Sequence, residues 1–119
     1  MTGQVSQPDT LEANDFRRHN PRWREVNLRQ NLALVDKIKE IAAAKGCTPA
    51  QLALAWVLAR GEDIIPGPGT RRATYLQDNI GALDVALTAE DLAYINAALP
   101  VGAAAGTRYL ESTMNRVNV

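Results

Sequence analysis

Apolar side chains recur at Leu28, Leu32, Val35, Ile38 and Ala42, with Leu34 and Ile41 widening the stripe, and this spacing predicts one amphipathic helix over 27–45. Asp36, Lys37, Lys39, Glu40 and Lys45 face away from the stripe, and Gly46 supplies a left-handed stop. A second helix over 49–60 opens at Thr48-Pro49-Ala50-Gln51, with Thr as N-cap, Pro at the first position and Gln closing a capping box. Leu52, Ala53, Leu54, Ala55, Trp56, Val57, Leu58 and Ala59 make that helix apolar almost all round, so it belongs between other elements. Thr88 caps a last clear helix over 88–99, with Glu90 and Asp91 in its first turn and Leu92, Ile95 and Leu99 as its inner stripe. Residues 1–26 show no period of 2 or 3.6 and read as a long irregular segment. From Val101 onward the chain is rich in Gly and Ala, with one further short turn near Arg108 to Glu111.

Between the second and last helices lies the stretch around which the chain is organised. Ile64 and Ile65 follow a charged turn, Gly61-Glu62-Asp63, and predict a short buried strand near 64–66. Pro66-Gly67-Pro68-Gly69 then forbids both helix and ladder, because proline lacks an N–H and glycine admits positive φ. Thr70 reads as the N-cap of a helix over 71–83 with Leu76, Ile80 and Leu83 along one face. Strand, turn and helix N-terminus present free backbone N–H groups and the positive end of a dipole. Arg71 and Arg72 would then occupy a first helical turn, where a cation is disfavoured by about 0.3–1 kcal/mol. Two readings follow from the residues alone: an anion, most simply a phosphate, joins the two arginines, or both reach into water. The stretch is neither the P-loop GxxxxGK[ST] nor GxGxxG.

The residues from Ile65 to Arg72, followed by Tyr75-Leu76-Gln77-Asp78-Asn79-Ile80, resemble the last strand and cofactor helix of the aldo-keto reductases. The resemblance extends to Thr2-Gly3-Gln4-Val5, Asp15-Phe16-Arg17-Arg18, Asn20-Pro21-Arg22, the run from Gly46 to Trp56, and Leu87 to Leu92, and so covers nearly the whole chain. It implies an α/β fold, the C-terminal portion of a (β/α)8 TIM barrel, here mostly helical. It also implies NADPH as cofactor, with hydride transfer to an aldehyde or ketone as the intact family's reaction. Gly69, Thr70 and Arg71 would lie at the adenosine phosphate and Gln77, Asp78 and Asn79 near the adenine. Position 78 is more commonly Glu in the family, so Asp78 reaches less far. The family's catalytic Asp, Tyr, Lys and His have no counterparts here, and His19, Tyr75, Tyr94 and Tyr109 match none of those positions.

A complete barrel needs ~250 residues, and this chain has 119. The resemblance therefore implies a cofactor-holding piece without catalysis of its own, and a carbonyl substrate only in an intact barrel. Uncovered apolar surface and self-association are expected of such a piece. A reading from another class is a helical interaction module docking on a partner chain. Thirteen basic residues balance thirteen acidic ones, which argues against nucleic acid or an anionic membrane as partner. A helix-turn-helix at 27–60 fails on that balance and on its apolar second helix. No apolar run long enough to span a membrane is present. A single cysteine, Cys47, points to a reducing cytoplasm and reads as a small buried thiol. His19 has no second ligand at metal spacing and reads as a surface histidine.

Overall fold

α1 (Glu25–Ala44) is the longest helix among the described residues, which in this computed structural model are 11–117. It begins at Glu25 rather than at residue 27, which sets an acid at the positive end of its dipole. Its end follows from Gly46, whose φ of 65° few other residues adopt without strain. The Cys47 N–H reaches the Ala42 carbonyl at 3.0 Å and the Gly46 N–H reaches the Ala43 carbonyl at 3.1 Å. These are the paired bonds of a Schellman motif. The same reversal lays Cys47 against the core, where burial pushes its thiol pKa up, opposed in part by Lys45. Cys47 is thus a half-buried packing residue.

By its contacts the chain divides into two units, one being Lys37–Leu99 and the other, among described residues, 11–36 with 100–117. In the first unit α2 (Pro49–Leu58) and α4 (Ala89–Ala98) join the second half of α1. Ile38, Ile41 and Ala42 of α1, Leu52 of α2 and Ile95 of α4 form the buried cluster. Trp56, Leu87, Ala98 and Leu99 close around it. Trp56 keeps its polar end satisfied: the indole N–H donates to Asn96 Oδ1 at 3.0 Å, and the Arg60 guanidinium sits 4.9 Å from the ring centroid. α2, apolar on every side, buries Leu52 and Ala55 fully and leaves its other faces half-covered.

Both α2 and α4 open with a complete capping box. Thr48 Oγ1 accepts from the Gln51 N–H at 3.2 Å, and Gln51 Oε1 accepts from the Thr48 N–H at 2.9 Å. At α4 the Thr88 Oγ1 accepts from the Asp91 N–H at 3.1 Å, and Asp91 Oδ2 accepts the Thr88 N–H and hydroxyl, both at 2.8 Å. Lys45 Nζ donates to the same carboxylate oxygen. The Lys45 ammonium first, then the Thr88 N–H and hydroxyl, hold the Asp91 carboxyl at about 2, well below its ordinary value. A carboxyl held lower in the folded chain than in the unfolded one stabilises above its unfolded pKa of 3.8 and loses that contribution as pH falls toward about 2. The thermal midpoint should therefore drop on acidification from pH 4 toward pH 2, and less steeply for Asp91→Asn. Equal slopes would remove Asp91 from the linkage.

The predicted strand near 64–66 does not form. Ile64 to Pro66 are irregular, Ile65 is 91% exposed, and no strand occurs among the described residues. A ladder needs a neighbour to take its N–H and C=O groups, and this stretch has none. α3 (Ala73–Ile80) is followed by a single 3-10 turn, Gly81–Asp84, in place of the continuous helix expected over 71–83. Its stripe is uncovered as well: Leu76 is 50% exposed, Ile80 55% and Leu83 71%. The 3.6-residue period marks the face that burial would favour, and the described residues leave half or more of each of these side chains uncovered.

In the second unit, short 3-10 turns at Phe16–His19 and Pro21–Trp23 break the segment read as irregular. Asp15 and Asn20 cap them, accepting from the N–H groups of Arg17 and Arg22. Arg17 also grips Asp15 with its guanidinium, at 2.6 Å from Nη2 to Oδ2, and holds that carboxyl at about 2. α5 (Glu111–Met114) is one turn near the end of the described chain. His19 is exposed, and no cluster of three potential metal ligands occurs among the described residues. No single helix there is long and apolar enough to cross a membrane.

Candidate functional site

The residues singled out from the sequence lie on the loop before α3 and on α3 itself. Thr70 does not cap the helix. Its hydroxyl accepts from the Arg72 N–H at 3.3 Å and donates to the Arg72 carbonyl at 3.4 Å, a local turn that competes with the capping role. The N-cap is Arg72, extended at φ −111° and ψ 131°, and no side chain bonds the exposed N–H groups behind it. Arg71 and Arg72 therefore precede the first helical turn, and the penalty for a cation inside that turn does not arise. What the structure leaves instead is an open helix end with no acid in its first turn. α2 and α4 are closed by their own side chains; α3 is not.

The two arginines differ. Arg72 folds back on Tyr75, its guanidinium 5.5 Å from the ring centroid and Nη1 3.5 Å from the hydroxyl. Arg71 is exposed and has no hydrogen bond or ion pair among the described residues. Gly69 is exposed beside it, and no atom lies within 4 Å of where a Cβ would stand. Gly69 and Arg71 are thus accessible on the loop just before the positive end of α3, with Thr70 half-buried between them.

Gln77, Asp78 and Asn79 do not share a face. Successive helical residues point about 100° apart, and the three spread around α3. Asp78 is turned to α2, where its Oδ1 accepts from the Thr48 hydroxyl at 3.3 Å and its backbone carbonyl accepts from Gln51 Nε2 at 3.0 Å. Gln77 is exposed and Asn79 half-buried. The structure therefore draws Asp78 into the scaffold and leaves Gln77 open to solvent. The Thr48–Gln51–Asp78 network lay outside the sequence reading, because it joins residues 27 and 30 positions apart. The shorter Asp at 78 was its one local signal.

Chemically, the loop and open end of α3 can hold an anion through a guanidinium and backbone N–H groups. A family model described as Aldo/keto reductase family matches residues 3–100. The chain is 46% identical over 109 residues to the aldo-keto reductase yakc (NADP(+)) of Schizosaccharomyces pombe, a match covering 92% of this chain and 32% of that protein. It is 41% identical over 95 residues to the aldo-keto reductase str7 of Strobilurus tenacellus, covering 80% of this chain and 28% of that one. Against the probable aldo-keto reductase 1 of Glycine max it is 44% identical over 101 residues, covering 85% and 29%. The chain spans less than a third of the length of these curated relatives. With most of its length matched by the family model and by each of these relatives, the chain belongs to the aldo/keto reductase family, whose fold is the (β/α)8 barrel.

Proposed function

We propose that these residues are the C-terminal, cofactor-holding portion of an NADPH-dependent aldo-keto reductase acting on aldehydes or ketones. The observation that carries this reading is the open end of α3, with exposed Arg71, unpaired among the described residues, at its entrance and no acid in its first turn. The NADP(+) in the name of the Schizosaccharomyces pombe relative supports it. Gly69, Thr70 and Arg71 would take the adenosine phosphate, with Gln77 and Asn79 beyond. Asp78 would act through α2 by fixing the pitch of the helix. The nicotinamide cofactor supplies the hydride when bound, and the protein's share is to position it. None of the family's catalytic Asp, Tyr, Lys and His is among these residues, so by themselves they carry no turnover. A reducing cytoplasm remains the expected compartment, on the single cysteine.

NADPH titrated into the purified chain should change its fluorescence, and NADH at the same concentrations should change it less. No aldehyde or ketone should be reduced above blank. An unaltered NADPH signal would sink the cofactor reading and leave a second one, a helical module that docks on a partner chain. The uncovered Leu76, Ile80 and Leu83 favour that second reading.

A further inference from the structure

We propose that residues 103–109 form a detachable strap whose order is controlled by the side-chain amide of Asn31, independently of the helical core. Both backbone groups of Ala105 are taken up by this one side chain. Asn31 Nδ2 donates to the Ala105 carbonyl at 3.1 Å, and Asn31 Oδ1 accepts the Ala105 N–H at 2.8 Å. One side chain thus supplies the donor and acceptor that a neighbouring strand would otherwise provide. The same Nδ2 donates to the Arg22 carbonyl at 3.2 Å, which fixes the amide between the strap and the turn at residues 20–23.

Two further side chains complete the attachment. Arg22 Nε donates to the Gly106 carbonyl at 3.3 Å, and Asn20 Nδ2 donates to the Arg108 carbonyl at 3.1 Å. Gly106 has φ 86°, and a Cβ there would stand 2.8 Å from Asn27 Nδ2 and 2.9 Å from the Pro21 carbonyl oxygen. Asn27 cannot readily yield, because its Nδ2 already donates to that carbonyl at 2.8 Å. Only glycine allows this backbone to come so close.

No strap residue is fully buried: Ala103, Ala105 and Gly106 are half-buried and Tyr109 is 46% exposed. The strap's backbone is held by hydrogen bonds from side chains 74 to 88 residues away in sequence. A segment without fully buried side chains, held by a few polar contacts, opens locally at lower free energy than the core. The buried cluster of Ile38, Ile41, Ala42, Leu52 and Ile95 contains no strap residue. Release of the strap therefore leaves α2 and α4 folded.

Hydrogen exchange on the purified chain tests this, with Asn31→Ala and Asn31→Asp altering the amide and Gly106→Ala attacking the same contact from the strap side. Asn31→Ala and Gly106→Ala should each speed exchange of the Ala105 amide at least tenfold and open the bond after Arg108 to trypsin. Asn31→Asp, which keeps an acceptor for the Ala105 N–H but loses the donor to the Ala105 carbonyl, should speed it less. Protection in α2 and α4 should be unchanged. The double variant Asn31→Ala/Gly106→Ala should exchange little faster than either single one, since both release the same segment. Unchanged Ala105 exchange in the single variants would overturn the proposal. So would parallel loss of protection in α2 and α4, or a double variant that multiplies the two effects.

Discussion

Leu52→Ala is expected to cost the Lys37–Leu99 unit about 2–5 kcal/mol, enough to abolish a cooperative unfolding transition. Leu52 is 2% exposed and lies in the cluster built from α1, α2 and α4. Truncation removes its transfer energy and leaves a cavity that three helices cannot close together. Whole domains are stable by only about 5–15 kcal/mol, and small ones sit at the low end because they bury a smaller share of their surface. Leu83→Ala is the internal control. The same side chain at 71% exposure should change stability by no more than about 0.5 kcal/mol. Urea unfolding followed by circular dichroism separates the two. Equal losses would mean that the 3-10 turn after α3 is covered in solution and that the core extends through it.

The second large effect concerns recognition. Arg71→Ala should weaken NADPH binding roughly ten- to a hundred-fold while leaving NADH nearly unchanged. A hydrogen bond to a charged group contributes about 1.5–3 kcal/mol, and each 1.4 kcal/mol is about tenfold in affinity. NADPH differs from NADH by one phosphate, and Arg71 is an exposed cation before α3 with no bond already made among the described residues. Arg72 is expected to matter less, because its guanidinium is committed to Tyr75. The measurement belongs in a chimera joining these residues to the remaining part of the Schizosaccharomyces pombe relative. Equal losses for both cofactors would reduce Arg71 to a scaffold residue. No loss for either would return it to a solvated side chain.

What could be read from the chain alone was what is settled within four residues. Thr48 with Gln51, the stop at Gly46 and the cap at Thr88 each need only near neighbours, and the structure realises all three. Thr70 has the same composition signal and fails, because its hydroxyl finds the backbone of Arg72 before the helix begins. The strand at 64–66 had the right β-branched residues, but pairing is a property of two segments and only one is present among the described residues. Leu76, Ile80 and Leu83 carry a correct helical period, yet a period tells which face seeks cover and not whether anything provides it. Of the candidate site, the exposed positions of Gly69 and Arg71 ahead of α3 were legible from the Pro-Gly turn. The commitment of Asp78 to Thr48 and Gln51 was not, and neither was the hold of Asn31 on Ala105, since both span long stretches of sequence.

Position 81 couples two sites that lie far apart in sequence. A Cβ on Gly81 would stand 2.5 Å from Gln51 Nε2, and Gln51 is the residue that both closes the α2 capping box and donates to Asp78. An alanine at 81 does not meet an immovable backbone; it displaces that amide. A side chain at position 81 thus reaches helix initiation thirty residues earlier, through one flexible amide that has to turn aside and give up its bond to Asp78.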